Sequence, residues 1–247
     1  MSLKTGVNLS RNYSINFSLP KRSKRKIKYV IIHYTGMRKE INAIKRLCNK
    51  NSKVSSHYFI RNNGEILNLV PDLYKAWHAG KSCWKNLKSL NEYSLGIEIQ
   101  NPGHQHGYKK FSNKQILSLK KLLSFLKKKY NIKYQNILGH SDIAPDRKKD
   151  PGEKFPWKKL SMSKLGFWYN LKDSKIKKYR KQYLSYNEEK FFLKNLYKIG
   201  YNKIKNLTNS KSKKLLIQAF QRRFRQDLIN GKSDKECYLI SKSLLLG

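Results

Sequence analysis

Acidic residues are scarce in this chain. Fifteen Asp and Glu stand against 55 Lys and Arg in 247 residues, a formal net charge of +40. Such a surface excludes a basic partner and points to an anionic one: nucleic acid, an anionic envelope polymer or a membrane surface. The imbalance is spread, with 34 basic and 9 acidic groups in residues 1–160 and 21 and 6 in residues 161–247. It is equally what a lysine-rich composition with solvated side chains would give. The scarcity makes each acid in an apolar setting informative. Cysteine is also rare. Cys48, Cys83 and Cys237 are scattered and odd in number, which excludes a disulfide framework and suits a reducing compartment. No run approaches the roughly 18 apolar residues of a membrane helix. The first residues show no apolar core of a secretory signal and no cysteine for a lipid. A cytoplasmic location is expected, with periplasm or cell envelope as the alternative. What is present is a core: 38% hydrophobic residues, including 16 Tyr, 10 Phe and 4 Trp, enough to fold.

Residues 1–26 are polar and basic and read as an extended lead-in. YVIIHYT (29–35) reads as a buried strand ending at His33. Residues 38–50 read as a helix, and HYFIRNNGEILNLV (57–70) as a hairpin around Asn62-Asn63-Gly64. YSLGIEIQN (93–101) is a further strand. Residues 112–130 carry Ile116, Leu119, Leu123 and Leu126 at helical spacing, with Ser112 as N-cap. ILGH (137–140) is a short strand. Interleaved strands and helices over 27–160 predict an α/β domain with a mixed central sheet flanked by helices. Residues 161–186 form a basic, Tyr-rich connector. Residues 187–247 predict a small three-helix unit with apolar stripes at Phe192, Leu193 and Leu196, at Leu216, Ala219, Phe220 and Phe224, and at Cys237, Ile240 and Leu244.

The loop HSDIAPDRKKDPG (140–152) has too many turn formers for a helix, yet it holds His140, Arg147, Lys148 and Asp150. His33 and His140 each end a buried strand, and sheets bring strand ends to one edge. Two imidazoles and a carboxylate make the three-ligand set of a catalytic zinc. On composition alone His57 and His78 would serve as well. Glu98 sits in LGIEI with Gly96 on its own face and Ile97 and Ile99 on the other. A carboxylate there is costly to bury unless it is paired or functional. It is either an ion pair with one of the many cations or a general base beside a metal site. Gly96 would let substrate approach the backbone. Lys148, two residues before Asp150, is either a solvated loop lysine or a cation that holds an oxyanion.

Taken together, IIHYT, SHYFIRNNGEI, AWHAGKSCW, LGIEIQN and GHSDIAPDRKKDPGEKFPW resemble the type 2 N-acetylmuramoyl-L-alanine amidases of the AmpD/AmiD kind. These are zinc hydrolases related to amidase-type phage lysozymes and peptidoglycan recognition proteins. The resemblance covers roughly residues 28–160 and implies that fold. It implies one zinc ion per chain on His33, His140 and Asp150, with Glu98 and Lys148 catalytic. It implies a substrate groove along Trp77, His78, Ala79 and Gly80, to which we add Tyr34, His57 and Arg147. The phage branch carries a tyrosine where this chain has Ser56, so proton transfer falls to Glu98. FLKNLYKIGY and AFQRRFRQDLINGKSDKECYLI are similar to a three-helix peptidoglycan-binding domain through Gly200-Tyr201, Phe220-Gln221 and the turn from Asn230 to Asp234. The partner expected is peptidoglycan or muropeptides, with no nucleic acid, no membrane span and no obligate protein partner. The alternatives are a non-catalytic peptidoglycan binder on the same fold, a nucleic-acid-binding protein, or an amidase for another amide.

Overall fold

The computed structural model describes residues 9–11, 13–203 and 210–246. In chain order the strands are β1 (Leu9–Arg11), β2 (Phe17–Ser18), β3 (Tyr29–Tyr34), β4 (Tyr58–Ile60), β5 (Ile66–Asn68), β6 (Lys75–Ala76), β7 (Cys83–Trp84), β8 (Leu87–Lys88), β9 (Ser94–Ile99) and β10 (Ile137–Gly139). The helices are α1 (Glu40–Cys48), α2 (Asn113–Tyr130), α3 (His140–Ile143), α4 (Trp157–Ser161), α5 (Asp173–Lys177), α6 (Tyr186–Ile199), α7 (Ser210–Phe224) and α8 (Lys235–Leu246).

Six strands form one mixed sheet in the order β1-β5-β4-β9-β3-β10. The hairpin pair β4 and β5 is antiparallel, while β4, β9, β3 and β10 run parallel to one another. Parallel strands bring their C-terminal ends to the same edge, where open α/β sheets bind ligands. That edge receives Glu98 from β9, His33 from β3 and, one residue beyond β10, His140.

Alternation sorts the side chains. Val30, Ile32, Leu95, Ile97 and Ile99 point to the face covered by α2, whose Ile116, Leu119, Leu122, Leu123 and Leu126 are buried against them. Each aliphatic side chain so withdrawn from water contributes roughly 1.5–3 kcal/mol. The helix starts where expected: Ser112 and Gln115 form a reciprocal capping box. The opposite face is shared. Phe59 and Leu67 pack on Ala43 and Leu47 of α1. Tyr29, Ile31 and Leu138 join a core with Phe192, Leu196, Phe220 and Ile240 of the C-terminal helices. Among the described residues, no helix is long and apolar enough to cross a membrane.

Two local expectations are corrected. The lead-in is built into the domain where it is described: β1 pairs with β5, β2 pairs with β6, and Ser14, Asn16 and Arg22 are buried. Arg22 explains part of this, since its guanidinium donates to the carbonyls of Asn91, Glu92 and Asp72. Residues 140–143, expected to be loop, form one helical turn. The Asp142 carboxylate accepts from the Gly139 N–H at 2.7 Å, which caps that turn. The C-terminal unit has its three helices. Its motif residues turn inward: Tyr201 is buried, and Gln221 ties the turn at Asn230 and Gly231.

Candidate active site

Register decides which side chains meet. His33 lies opposite Glu98, and Ile32 opposite Gly139, so β10 delivers His140 directly beside His33. The backbone N–H of Ser141 donates to the Asp150 carbonyl at 2.9 Å and folds the loop back on α3. His33 Nδ1 and His140 Nδ1 then stand 2.9 Å apart, and Asp150 Oδ2 lies 3.0 Å from each. All three residues are buried.

The far side of each ring shows what this cluster fits. His140 Nε2 lies 3.1 Å from the Ala79 carbonyl, which only accepts, so the proton of the neutral ring is on Nε2. His33 Nε2 lies 3.1 Å from His78 Nδ1, and a proton donated there leaves His33 Nδ1 bare as well. Two lone pairs and a carboxylate oxygen then converge on one point with no proton among them. A cation satisfies all three, and fixing the outer nitrogens is how proteins orient histidine ligands. Burial, then the neighbouring His140, lowers His33 to a pKa of about 4, which keeps its ring neutral. Burial acts against Asp150 ionisation; where no ion is bound, a proton on the facing imidazole nitrogens of His140 and His33 holds its carboxyl well below the usual carboxylate range, the place a metal ion would take.

Glu98 shares the cleft with this cluster. It is half-buried, it makes no ion pair among the described residues, and its Oε2 is enclosed without a hydrogen-bond partner. The ion-pair reading of Glu98 is thereby set aside. Burial, reinforced by the Asp150 charge, pushes its carboxyl up to about 8, while Lys148 and Arg46 pull the other way. The cleft has a volume of about 470 Å³, and its rim carries Tyr34, Trp77, Arg46, Arg147, Lys148 and Lys149. The Lys148 backbone N–H donates to Ala144 O, a turn that brings the residue to the cleft two positions before Asp150.

The remaining sequence candidates divide. Tyr34 is on the cleft wall, its hydroxyl 2.8 Å from His104 Nδ1. Trp77 lines the cleft and donates its indole N–H to Ser18 Oγ at 2.8 Å. Arg147 lines it too, but is spent holding the carbonyls of Ala79 and Lys81. Ala79 is buried and presents its carbonyl to both His140 and Arg147. Gly80 backs the Arg147 guanidinium, which a Cβ would approach to 3.1 Å. His78, expected on the substrate groove, is among the residues lining the cleft, with its ring largely buried and its Nδ1 against His33 Nε2. His57 is a correction: fully buried and outside the cleft lining, it accepts the Gly96 N–H at 2.9 Å and sits beside Arg22. Ser56 is likewise buried and bonds to the Tyr58 carbonyl.

Gly96 is also reassigned. The space over it holds the His78 ring, which a Cβ would meet at 2.5 Å, so it admits His78 rather than substrate. Gly96→Ala is expected to displace His78, destabilise the fold by about 1–3 kcal/mol and weaken metal binding. Denaturant unfolding and a metal titration check this, and an unperturbed alanine variant would contradict the packing described. Sequence reasoning missed His104 and Met37 on the cleft wall, and the support that His78 gives His33. A second histidine 45 positions away carries no spacing signal.

Fold and cluster together place three buried residues able to hold a metal ion, His33, His140 and Asp150, at the C-terminal edge of a mixed sheet. The sequence matches the N-acetylmuramoyl-L-alanine amidase family over residues 23–153. It is 34% identical over 232 residues to the N-acetylmuramoyl-L-alanine amidase AmiD of Escherichia coli, covering 89% of this chain and 83% of that protein. The structure of AmiD from E. coli in complex with anhydro-N-acetylmuramic acid-L-Ala-D-gamma-Glu-L-Lys superposes with a TM-score of 0.80 at 33% identity, covering 93% of this chain and 92% of that one. AMPDH3 from Pseudomonas aeruginosa superposes with a TM-score of 0.77 at 29% identity, over 92% and 94%. The chain belongs to the N-acetylmuramoyl-L-alanine amidase family. The expected fold class, a mixed central sheet flanked by helices, is the one observed.

Proposed function

We propose that this chain is a zinc-dependent amidase that cuts the amide between the lactyl group of N-acetylmuramic acid and the L-alanine of the peptidoglycan stem peptide. The observation that carries this reading is Glu98. An acid-poor chain places a carboxylate with an unpartnered oxygen in the same cleft as three converging ligand atoms. A binder without catalysis has no use for that costly group. Family membership and the substrate complex of AmiD support the bond assigned.

The donor set of two imidazoles and one carboxylate suits zinc. His33, His140 and Asp150 would hold the zinc ion, which would supply Lewis acidity to the scissile carbonyl and to water. Glu98 accepts the proton of the attacking water and hands it to the leaving amine. Lys148 presents its ammonium to the oxyanion that forms at the carbonyl. Arg46 and Lys149 on the same wall give the carboxylates of a stem peptide a basic surface to meet. Trp77 and Tyr34 offer apolar faces to the sugar and peptide. Ser56, turned away from the cleft, offers no hydroxyl to the reaction.

Lys148→Met keeps the length of the side chain and removes its charge. It is expected to lower kcat by about 10²–10³-fold, the effect of losing one oxyanion donor, with zinc content unchanged. Steady-state kinetics with metal analysis of the same sample checks both halves, and wild-type turnover would return Lys148 to the solvated surface.

Mass spectrometry of muropeptides incubated with the zinc-loaded protein, with and without a chelator, tests the function. Free stem peptide and free sugar that appear only with zinc are the expected result. A folded, zinc-loaded protein that leaves muropeptides intact would sink the reading and leave a binder. Running 1,6-anhydro and reducing-end substrates side by side separates turnover of released fragments, which a cytoplasmic enzyme would perform, from attack on intact wall. Binding of peptidoglycan by the C-terminal unit belongs to the same proposal, and sedimentation with insoluble wall measures it.

A further inference from the structure

α3, which carries His140 at its first residue, is gripped from behind by the C-terminal helical unit. Asp142 is the handle. One carboxylate oxygen caps the Gly139 N–H and also meets Arg223 Nη1. The other accepts from the Tyr201 hydroxyl at 2.9 Å. Arg223 Nη2 donates to the Ile137 carbonyl of β10 at 3.0 Å, and its guanidinium lies 4.1 Å over the Trp157 ring. Asp142, Tyr201 and Arg223 are each at most 2% exposed.

A second grip lies past the third ligand. Gln226, just after α7, donates to the Phe155 carbonyl at 2.7 Å. Residues from the C-terminal unit therefore hold the ligand loop on both sides of Asp150, at 142 and at 155. Within the loop, the Ser141 N–H ties α3 to the Asp150 carbonyl. That bond ties His140 to the backbone of Asp150, while His33 is carried by β3.

We infer that the C-terminal unit is a structural half of the metal centre: Tyr201, Arg223 and Gln226 are positioning residues that set His140 and Asp150 for the ion. This inference rests on the metal site proposed above. It goes beyond a unit that only carries the enzyme to its substrate. The three residues touch neither the cleft nor the ligand atoms, and their effect is routed through Asp142 and the Phe155 backbone.

The test is the zinc dissociation constant of the full chain, measured by competition with a chromophoric chelator. Tyr201→Phe removes one hydroxyl and keeps the ring. Gln226→Ala removes the second grip, and Arg223→Lys keeps the charge but not the forked geometry. Each is expected to weaken zinc about tenfold or more, the usual cost of losing a group that orients a ligand, and to lower kcat with KM unchanged. Ile240→Ala, in the core of the same unit, is the control. It lowers the melting temperature and leaves zinc affinity alone. Variants at Tyr201 and Gln226 that bind zinc as the wild type does would overturn the inference, as would losses that only track melting temperature along the line set by Ile240→Ala. Wild-type protein that fails to bind zinc would overturn the metal site itself. Tight zinc without amide cleavage would overturn only the proposed reaction.

Discussion

Glu98→Gln is expected to lower kcat by about 10²–10⁴-fold, the range of general acid–base catalysis, with zinc affinity and KM close to wild type. Glutamine keeps the shape of the side chain and cannot accept a proton. Ile97 and Ile99, buried on the opposite face, hold the strand so that residue 98 still points into the cleft. The same variant has a stability signature. In the metal-free protein the Glu98 carboxyl is raised from 4.5 to about 8, so the folded state keeps its proton longer than the unfolded chain. The contribution of Glu98 to stability is then whole below pH 4.5 and is lost as pH rises through about 8. His57 acts in the other direction. Burial, then Arg22, lowers it to about 3, so its share grows as pH rises from about 3 to 6.5. Metal-free wild type should therefore lose stability between neutral pH and pH 9, and Glu98→Gln should remove that loss. Denaturant unfolding of chelator-treated protein across this range checks the slope. A glutamine variant with a tenth or more of wild-type turnover would take proton transfer away from Glu98.

Asp150→Ala is expected to abolish tight zinc binding and to lower turnover by about 10³-fold or more, since Lewis-acid stabilisation of several kcal/mol goes with the ion. Asp150 is the anion of the cluster, placed 3.0 Å from both histidine nitrogens. Without it, two buried imidazoles face each other across 2.9 Å with nothing to offset the charge of a dication. Asp150→Asn separates charge from shape. It keeps the backbone bond from Ser141 to residue 150 and should lose zinc nearly as completely. Chelator treatment of the wild type should reproduce the loss, and added zinc should reverse it in the wild type alone. Retained zinc in the alanine variant would show that the ion is held elsewhere.

Much of this site is legible in the sequence. Strand-ending His33 and His140, the Asp150 that follows a proline-flanked loop, and Glu98 amid isoleucines are local patterns. Strand alternation and turn chemistry depend on a few neighbouring residues, so a one-dimensional reading reaches them. His57 and His78 show the limit. Both are expected at the substrate groove, yet His57 is buried beside Arg22 outside the cleft, whereas His78 lines the cleft and also packs against Gly96 and His33. Whether a histidine faces the cleft or lies behind it depends on which strand it abuts.

The sequence by itself determined the alternation that covers the sheet on both faces, the capped helix at Ser112, the hairpin at Gly64 and the set of residues able to hold an ion. Each is written in short-range periodicity or in residue chemistry. Only the tertiary structure decided that Leu9–Arg11 joins the sheet, that His78 supports His33, and that Asp142 meets Arg223 from 81 residues away. Those pairings come from burial. A charged or polar group taken out of water must find a partner, and the fold alone determines which distant group is within reach.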